Sequence, residues 1–368
     1  MRTHKVASVA VVIVALLMGL VFGGLQVASA TSNAEGFGRV SQFAVLGRQV
    51  TDLVQALEAE RDQTAGDLSR NAGNLSPANT NAPPFFIPTK SLDSAYATTN
   101  AAAARVKSLA AGIGGSFAAN IRTQVAAVVA DINDLPALRE EAQASQSALS
   151  VINAYAAPIT DMIALDDQMG RGMSDSILVS DVQTLSSLAL AKEEAAQQRA
   201  LLFNAFRVGQ FANDEQQALI AARSGQLIEL TAFGTTATPA EQREYDTDVA
   251  GTSASELASN IEIFVQGSGS LDGVSSLGGV KPGQAAAEWY AAQSGTIDGM
   301  QQVELGVASN IVARAQLLQS KAKDYALFIA ILFAIILLLA LIATVSFSFS
   351  ERIDAIRRLR PGSSSTAG

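Results

Sequence analysis

Residues 41–68 read SQFAVLGRQVTDLVQALEAERDQTAGDL, and their apolar side chains recur at helical intervals. Phe43, Leu46, Val50, Leu53 with Val54, Leu57, Ala65 and Leu68 stand three and four apart, which predicts one amphipathic helix from about Ala34 to Leu68. Arg61 falls on the same stripe, between Leu57 and Ala65. A guanidinium on a core face needs a partner, because an unpaired buried charge is very costly. Two kinds of partner stay open. One is an internal carboxylate, from Glu58, Glu60 or a neighbouring helix; the other is a small planar anion gripped by two parallel hydrogen bonds.

Outward from this helix the chain continues in the same style. Alanine, leucine and glutamine dominate, and strand-type alternation is scarce. A loop rich in breakers spans Asn71–Pro88 and carries Pro77, Pro83, Pro84 and Pro88. Helices are predicted over Leu92–Ala111, ending at Gly112-Ile113-Gly114-Gly115, and over Ser116–Ile132. Another opens at Pro136, behind Asp134, and runs to Asp167. After the Gly170-Arg171-Gly172 break, a long helix covers Ser174–Phe206, and a further one starts at Asn213-Asp214-Glu215 and ends near Gly234. Thr238-Pro239-Ala240-Glu241 is a capping box with proline at the first helical position, which starts Pro239–Val265. A glycine- and serine-rich loop, Gly267–Gly283, precedes a helix from Gln284 through Lys323 and beyond. The fold class is all-α: an antiparallel bundle, as one four-helix bundle or two stacked ones.

Two apolar runs bracket the bundle, Val6–Val27 and Ala326–Val345, each long enough to cross a hydrocarbon core of roughly 30 Å as a helix. Arg2 and Lys5 precede the first, and Arg352, Arg357, Arg358 and Arg360 follow the second, so both ends read as cytoplasmic. The expected organisation is a cytoplasmic tail at 1–5, a membrane anchor at 6–30, an extracytoplasmic domain at 31–325, a second span at 326–349 and a basic cytoplasmic tail at 350–368. Ala28-Ser29-Ala30 also fits a signal-peptide processing site, the alternative for the first run.

The chain carries 25 basic and 34 acidic residues, and the two tails hold six of the bases and two of the acids, leaving 19 bases against 32 acids between them. So acidic an exterior argues against nucleic acid as a partner. An anion must then be held by a few placed arginines. There is no cysteine, and the single histidine, His4, lies in the N-terminal tail, so disulfides, thiolate chemistry, histidine metal sites and Ser-His triads are absent from 31–325. No cofactor is expected, and an enzyme is the least favoured class. Asp166-Asp167 and Glu193-Glu194 read as solvated helix faces. Gly112–Gly115 reads as a helix break, and Trp289 and Tyr290 as packed in the bundle.

Arg199 repeats the oddity of Arg61 on the long middle helix, three after Ala196 and four before Phe203. The block Leu53-Val54-Gln55-Ala56-Leu57-Glu58-Ala59-Glu60-Arg61-Asp62-Gln63-Thr64-Ala65 resembles the first-helix signature LxxALQxERxxTA of the nitrate- and nitrite-sensing domain of bacterial receptors. Leu135-Pro136-Ala137-Leu138-Arg139, Tyr155-Ala156-Ala157-Pro158-Ile159, Glu193 to Leu201, and then Phe233, Pro239 and Tyr245 follow in the order of that family, over about residues 40–265.

The resemblance implies a helical sensor in which Arg61 and Arg199 hold nitrate or nitrite, with Thr64 adding a hydroxyl donor and Arg139 a structural role. It also implies homodimerisation and a cytoplasmic output, a histidine kinase of a two-component system or another partner. The chain departs from the family in two places. Asp62 stands where many members have glycine, and helix geometry places it about 100° from Arg61. No HAMP linker or kinase module follows the second span, which is expected of the sensor part of a truncated kinase or of a receptor with a separate output protein. Two alternatives stand beside this reading: a bundle sensing another small molecule or a protein, with Arg61 and Arg199 bridged by internal carboxylates, and a membrane scaffold without a ligand.

Overall fold

The computed structural model of the chain describes residues 2–71, 92–170, 175–212, 214–281 and 284–359. Most of the proline-rich loop expected at 71–88 lies outside the described residues, as do 171–174, where the Gly170-Arg171-Gly172 break falls. Among the described residues all regular structure is helical: α1 Arg2–Asn71, α2 Leu92–Ala110, α3 Ala119–Ala144, α4 Ala148–Gly170, α5 Ser176–Val208, α6 Glu215–Thr236, α7 Pro239–Tyr245, α8 Ser253–Ser268 and α9 Ala285–Leu359. The chain divides into two compact units, Arg39–Ala315 and Met1–Gly38 with Gln316–Gly368.

Within 39–315 the helices form two four-helix groups, α1–α4 and α5, α6, α8 and α9. In the first group α2 packs on α3 and α3 on α4. Arg139 of α3 and Tyr155 of α4 both reach Glu60 of α1. In the second, α5 packs along α6. Leu202 and Phe203 meet Leu219, Ile261, Val265 and Trp289 in one apolar cluster, and Leu188, Ala195 and Ala196 meet Phe233, Ile297 and Met300 in another. The groups are joined where α1, α4, α5 and α9 meet, because α5 is buried on nearly every side, including Lys192, Glu193 and Arg199.

Helix ends follow local chemistry. Asp175 caps α5 by accepting from the Leu178 N–H at 3.0 Å, and its carboxylate also receives Arg314 of α9 at 2.8 and 2.9 Å. Gly209 closes α5 at φ 84°, a left-handed conformation that costs glycine no Cβ clash. The capping box forms as read: the Glu241 N–H donates to Thr238 Oγ1, and the Thr238 N–H donates to Glu241 Oε2 at 2.8 Å.

Three boundaries differ from the sequence reading. Pro136 lies inside α3 instead of opening a helix, since Ile132 and Leu135 before it and Ala142 after it are buried on one continuous face. The break falls at Ser145–Ser147, where the Ser145 hydroxyl donates to the Glu141 carbonyl and Ser147 Oγ accepts from the Ser150 N–H. The helix expected over Pro239–Val265 is interrupted by a wide turn at Asp246–Ala250, ended by Gly251 and restarted by Thr252, whose hydroxyl accepts from the Ser255 N–H. And α1 is continuous from Arg2, with no break between the first apolar run and the stripe at 43–68.

In the other unit, the Phe333 ring occupies the space that a Cβ at Gly23 would need, so the helical segments of the two apolar runs pack closely there. Around that contact Val21, Phe22, Leu25, Leu327, Phe328, Ile331 and Leu338 are exposed. Side chains of 2–18 lie outside the described set. Two described helical stretches are long and apolar enough to cross a membrane, Ala148–Gln168 and Ala285–Ile342. The first carries Val151, Tyr155, Ile159 and Met162 fully buried and is a core helix of the bundle, whereas the apolar window of the second is almost wholly exposed.

A buried arginine pair as candidate anion site

On α1 the rows 50–54–58–62 and 53–57–61–65 lie side by side, so the buried face is wide enough to take in Glu58 and Asp62 as well as Arg61. On α5, Lys192 and Arg199 are two turns apart and share a face. Where these faces meet, charged groups replace the apolar core.

Arg61 is fully buried and donates from Nη1 to Glu193 Oε1 of α5. Arg199, 6% exposed, donates from Nε to Asp62 Oδ2 at 2.6 Å and from Nη1 to the Ser294 hydroxyl of α9 at 3.2 Å. The other Asp62 oxygen, Oδ1, stands 3.6 Å from Arg61 Nε. One carboxylate therefore bridges the two arginines. Tyr290 lies under the Arg199 guanidinium at 5.1 Å, and the Trp289 indole N–H donates to the Arg199 carbonyl at 3.0 Å, so α9 fixes both ends of this residue. Both arginines are pushed above their ordinary range: burial works against the charge, but Glu193 and Asp62 around Arg61, and Asp62 around Arg199, outweigh it.

A second ionic layer lies one to two turns away. Lys192 pairs with Glu304 of α9, which also accepts from the Thr51 hydroxyl of α1 at 2.9 Å. Burial pushes Asp166 of α4 well up, with Glu304 adding to the effect. Burial likewise pushes Glu58 up to about 8, against the pull of Lys192. At neutral pH Glu58 therefore keeps its proton. The ion-paired charges of the two layers balance, with Arg61, Arg199 and Lys192 against Asp62, Glu193 and Glu304.

The two arginines singled out from the sequence are thus brought together, through Asp62. Helix geometry had turned Asp62 away from Arg61; the wide buried face of α1 and the approach of Arg199 from α5 bring its carboxylate between them. Glu193 and Asp166 are not solvated, being 3% and 4% exposed. Asp62 and Glu58 follow Val54 and Val50 at helical spacing, a signal present in the sequence but masked by their charge. Thr64 is buried beside Arg61 and its hydroxyl donates to the Glu60 carbonyl at 2.8 Å. Arg139 stands apart from the pair, donating from Nε and Nη2 to Glu60, both at 2.9 Å.

Arg61 makes its hydrogen bond to Glu193 from Nη1, and its Nε meets Asp62 only as an ion pair at 3.6 Å. Nε and Nη2, the two parallel N–H donors of the other edge, are buried and make no hydrogen bond among the described residues. Such a fork matches two oxygens of a planar oxyanion. No cluster of His, Asp or Glu among the described residues could hold a metal ion.

A family model described as nitrate and nitrite sensing matches residues 52–312. Among solved structures, that of the NasR transcription antiterminator superposes with a TM-score of 0.63 over 82% of this chain and 81% of that one, at 18% identity, which shows a shared fold. No curated protein matches the sequence.

Proposed function

Because the chain belongs to the nitrate and nitrite sensing family, we propose that its helical domain binds nitrate or nitrite between Arg61 of α1 and Arg199 of α5 and relays the event through α9. The observation that carries this is the Nε/Nη2 edge of the buried Arg61, which makes no hydrogen bond among the described residues and meets Asp62 only as an ion pair at 3.6 Å, beside a second arginine held by the same carboxylate. A planar oxyanion takes that edge and competes with Asp62 and Glu193 for the guanidiniums, while Thr64 turns its hydroxyl from Glu60 to the anion. Exchanging a tethered carboxylate for a free ion changes how α1, α5 and α9 are held together. The ligand biases signalling only by its difference in affinity between the two arrangements.

Ser294, Tyr290 and Trp289 bring α9 to the site, and the same helix includes the apolar run at 326–345. Exposed apolar side chains on the described parts of both runs support a two-pass receptor, and the basic residues that flank the runs favour cytoplasmic tails with residues 31–325 outside. In this reading the shift crosses the membrane along α9 to a kinase or another output protein, in a homodimeric receptor.

Titration of the purified full chain in detergent with nitrate, nitrite and chloride tests the site. Saturable nitrate or nitrite heat that chloride does not reproduce, and that Arg61→Gln abolishes while helicity is kept, is the expected result.

A second reading is favoured by Asp62 and Glu193 themselves, which satisfy much of both arginines internally. In it the pair is an ionic core and the bundle senses something else. Arg61→Gln would then lower the melting temperature and leave the heat of nitrate binding, or its absence, as in the wild type.

A further inference from the structure

Glu58 lies one turn before Arg61 on α1 and is fully buried, and neither of its carboxyl oxygens makes a hydrogen bond among the described residues. The charged groups around it are Arg61 on its own helix and Lys192, Glu193 and Arg199 on α5. Lys192 is in turn held by Glu304 of α9, and Asp166 of α4 faces that same pair. The cations near Glu58 thus already have carboxylate partners in Glu193, Asp62 and Glu304. An ionised Glu58 would be a fourth, unmatched negative charge without a hydrogen bond among the described residues to support it.

The same layer contains Nε and Nη2 of Arg61, which make no hydrogen bond among the described residues. Residues three apart on a helix are neighbours on one face, so an oxyanion seated on that edge lies on the face that carries the Glu58 carboxyl. With its proton, Glu58 offers an O–H to an anion oxygen. Without it, two like charges share a buried site, where their repulsion is several times what it is in water.

We propose that Glu58 admits the anion only in its protonated form, its carboxyl O–H donating to the oxyanion held by Arg61 and Arg199, so that the anion and a charge on Glu58 exclude one another. This rests on the arginine pair being an oxyanion site. The sign of the linkage is fixed: affinity is level where the ligand-free site already holds the proton. It falls by up to about tenfold per pH unit above the point where that proton is lost, and each anion bound there draws up to about one proton from solvent. With burial placing that point at about 8, the receptor loses sensitivity in alkaline surroundings.

The test is calorimetric titration of the full chain in detergent micelles with nitrate, from pH 6.5 to 9.5, in paired buffers of different ionisation heat. Wild type is expected to bind with level affinity to about pH 7.5 and with a steep decline above 8.5, the heat there depending on the buffer through proton uptake. Glu58→Gln, which keeps an N–H donor in the same place and cannot ionise, is expected to bind with level affinity throughout and without buffer-dependent heat at the alkaline end. A level, proton-free profile in wild type overturns the proposal. So does an alkaline decline that survives in Glu58→Gln, which would assign the proton elsewhere, with Glu194 and Glu262, both pushed by burial to about 7, as the next groups. Nitrate heat at no pH in either protein overturns the oxyanion site itself. The buffer comparison is read on wild type alone, so the proposal stays falsifiable if the variant does not fold.

Discussion

Lys192 and Glu304 form an ion pair with almost no access to solvent, Lys192 at 0% and Glu304 at 2% exposed. Breaking such a pair from one side strands a buried charge, at a cost of about 3–5 kcal/mol. Lys192→Met is therefore expected to lower stability by that order in chemical denaturation, and Lys192→Met with Glu304→Gln to recover part of it. The pH dependence of stability follows from the acids whose folded values are raised. Burial moves Glu58 from 4.5 to about 8, so between those values the folded state holds a proton that the unfolded state has released, and stability falls as pH rises through that window. Asp181, raised by burial to about 6, and Glu194 and Glu262, each to about 7, act in the same direction. A melting temperature that declines from pH 5 to 8, and declines less in Glu58→Gln, is the expected outcome. At this scale the sequence showed that Arg61 and Arg199 point inward, because apolar neighbours at helical spacing mark the buried face. It did not show what they meet there: charged residues on a wide buried face read as solvated until the opposing helix is known.

Asp175 serves two elements at once, capping α5 and receiving both Nε and Nη2 of Arg314 from α9. Loss of an N-cap costs about 1 kcal/mol. Asp175→Ala is expected to lower stability by roughly that amount or somewhat more, and Asp175→Asn, which retains the cap, by less; equal losses in the two would place the effect in the ion pair. Thr238→Ala removes the capping box of α7 and is expected to cost about 1 kcal/mol in the same measurement. Caps and glycine ends were legible in the sequence because their hydrogen bonds span only a few residues. The paths through Pro136 and around Gly251 were not. Whether a proline starts a helix or is carried inside one depends on the packing to either side of it, and Ile132 and Ala142 keep α3 on one buried face across Pro136.

At the scale of the whole chain, the proposed topology predicts that a cysteine placed at the exposed Ala101 position of α2 is labelled by a membrane-impermeant maleimide in intact cells. The chain has no native cysteine to confuse the result. Labelling of Ala101→Cys only after lysis would overturn the orientation. The sequence by itself determined the helical class, the two apolar runs, the inward placement of Arg61 and Arg199, and the order of motifs that places the chain in its family. Each of these is written in spacing along one strand of chain, where the period of 3.6 residues records which side of a helix is buried. Only the tertiary structure decided that Asp62 bridges the two arginines, that Glu193 closes one of them, and that Glu58 and Asp166 are shut in beside them. Those contacts join residues 132 and 137 positions apart. Helical periodicity tells which face turns inward and is silent about which charges the neighbouring helices bring to meet it.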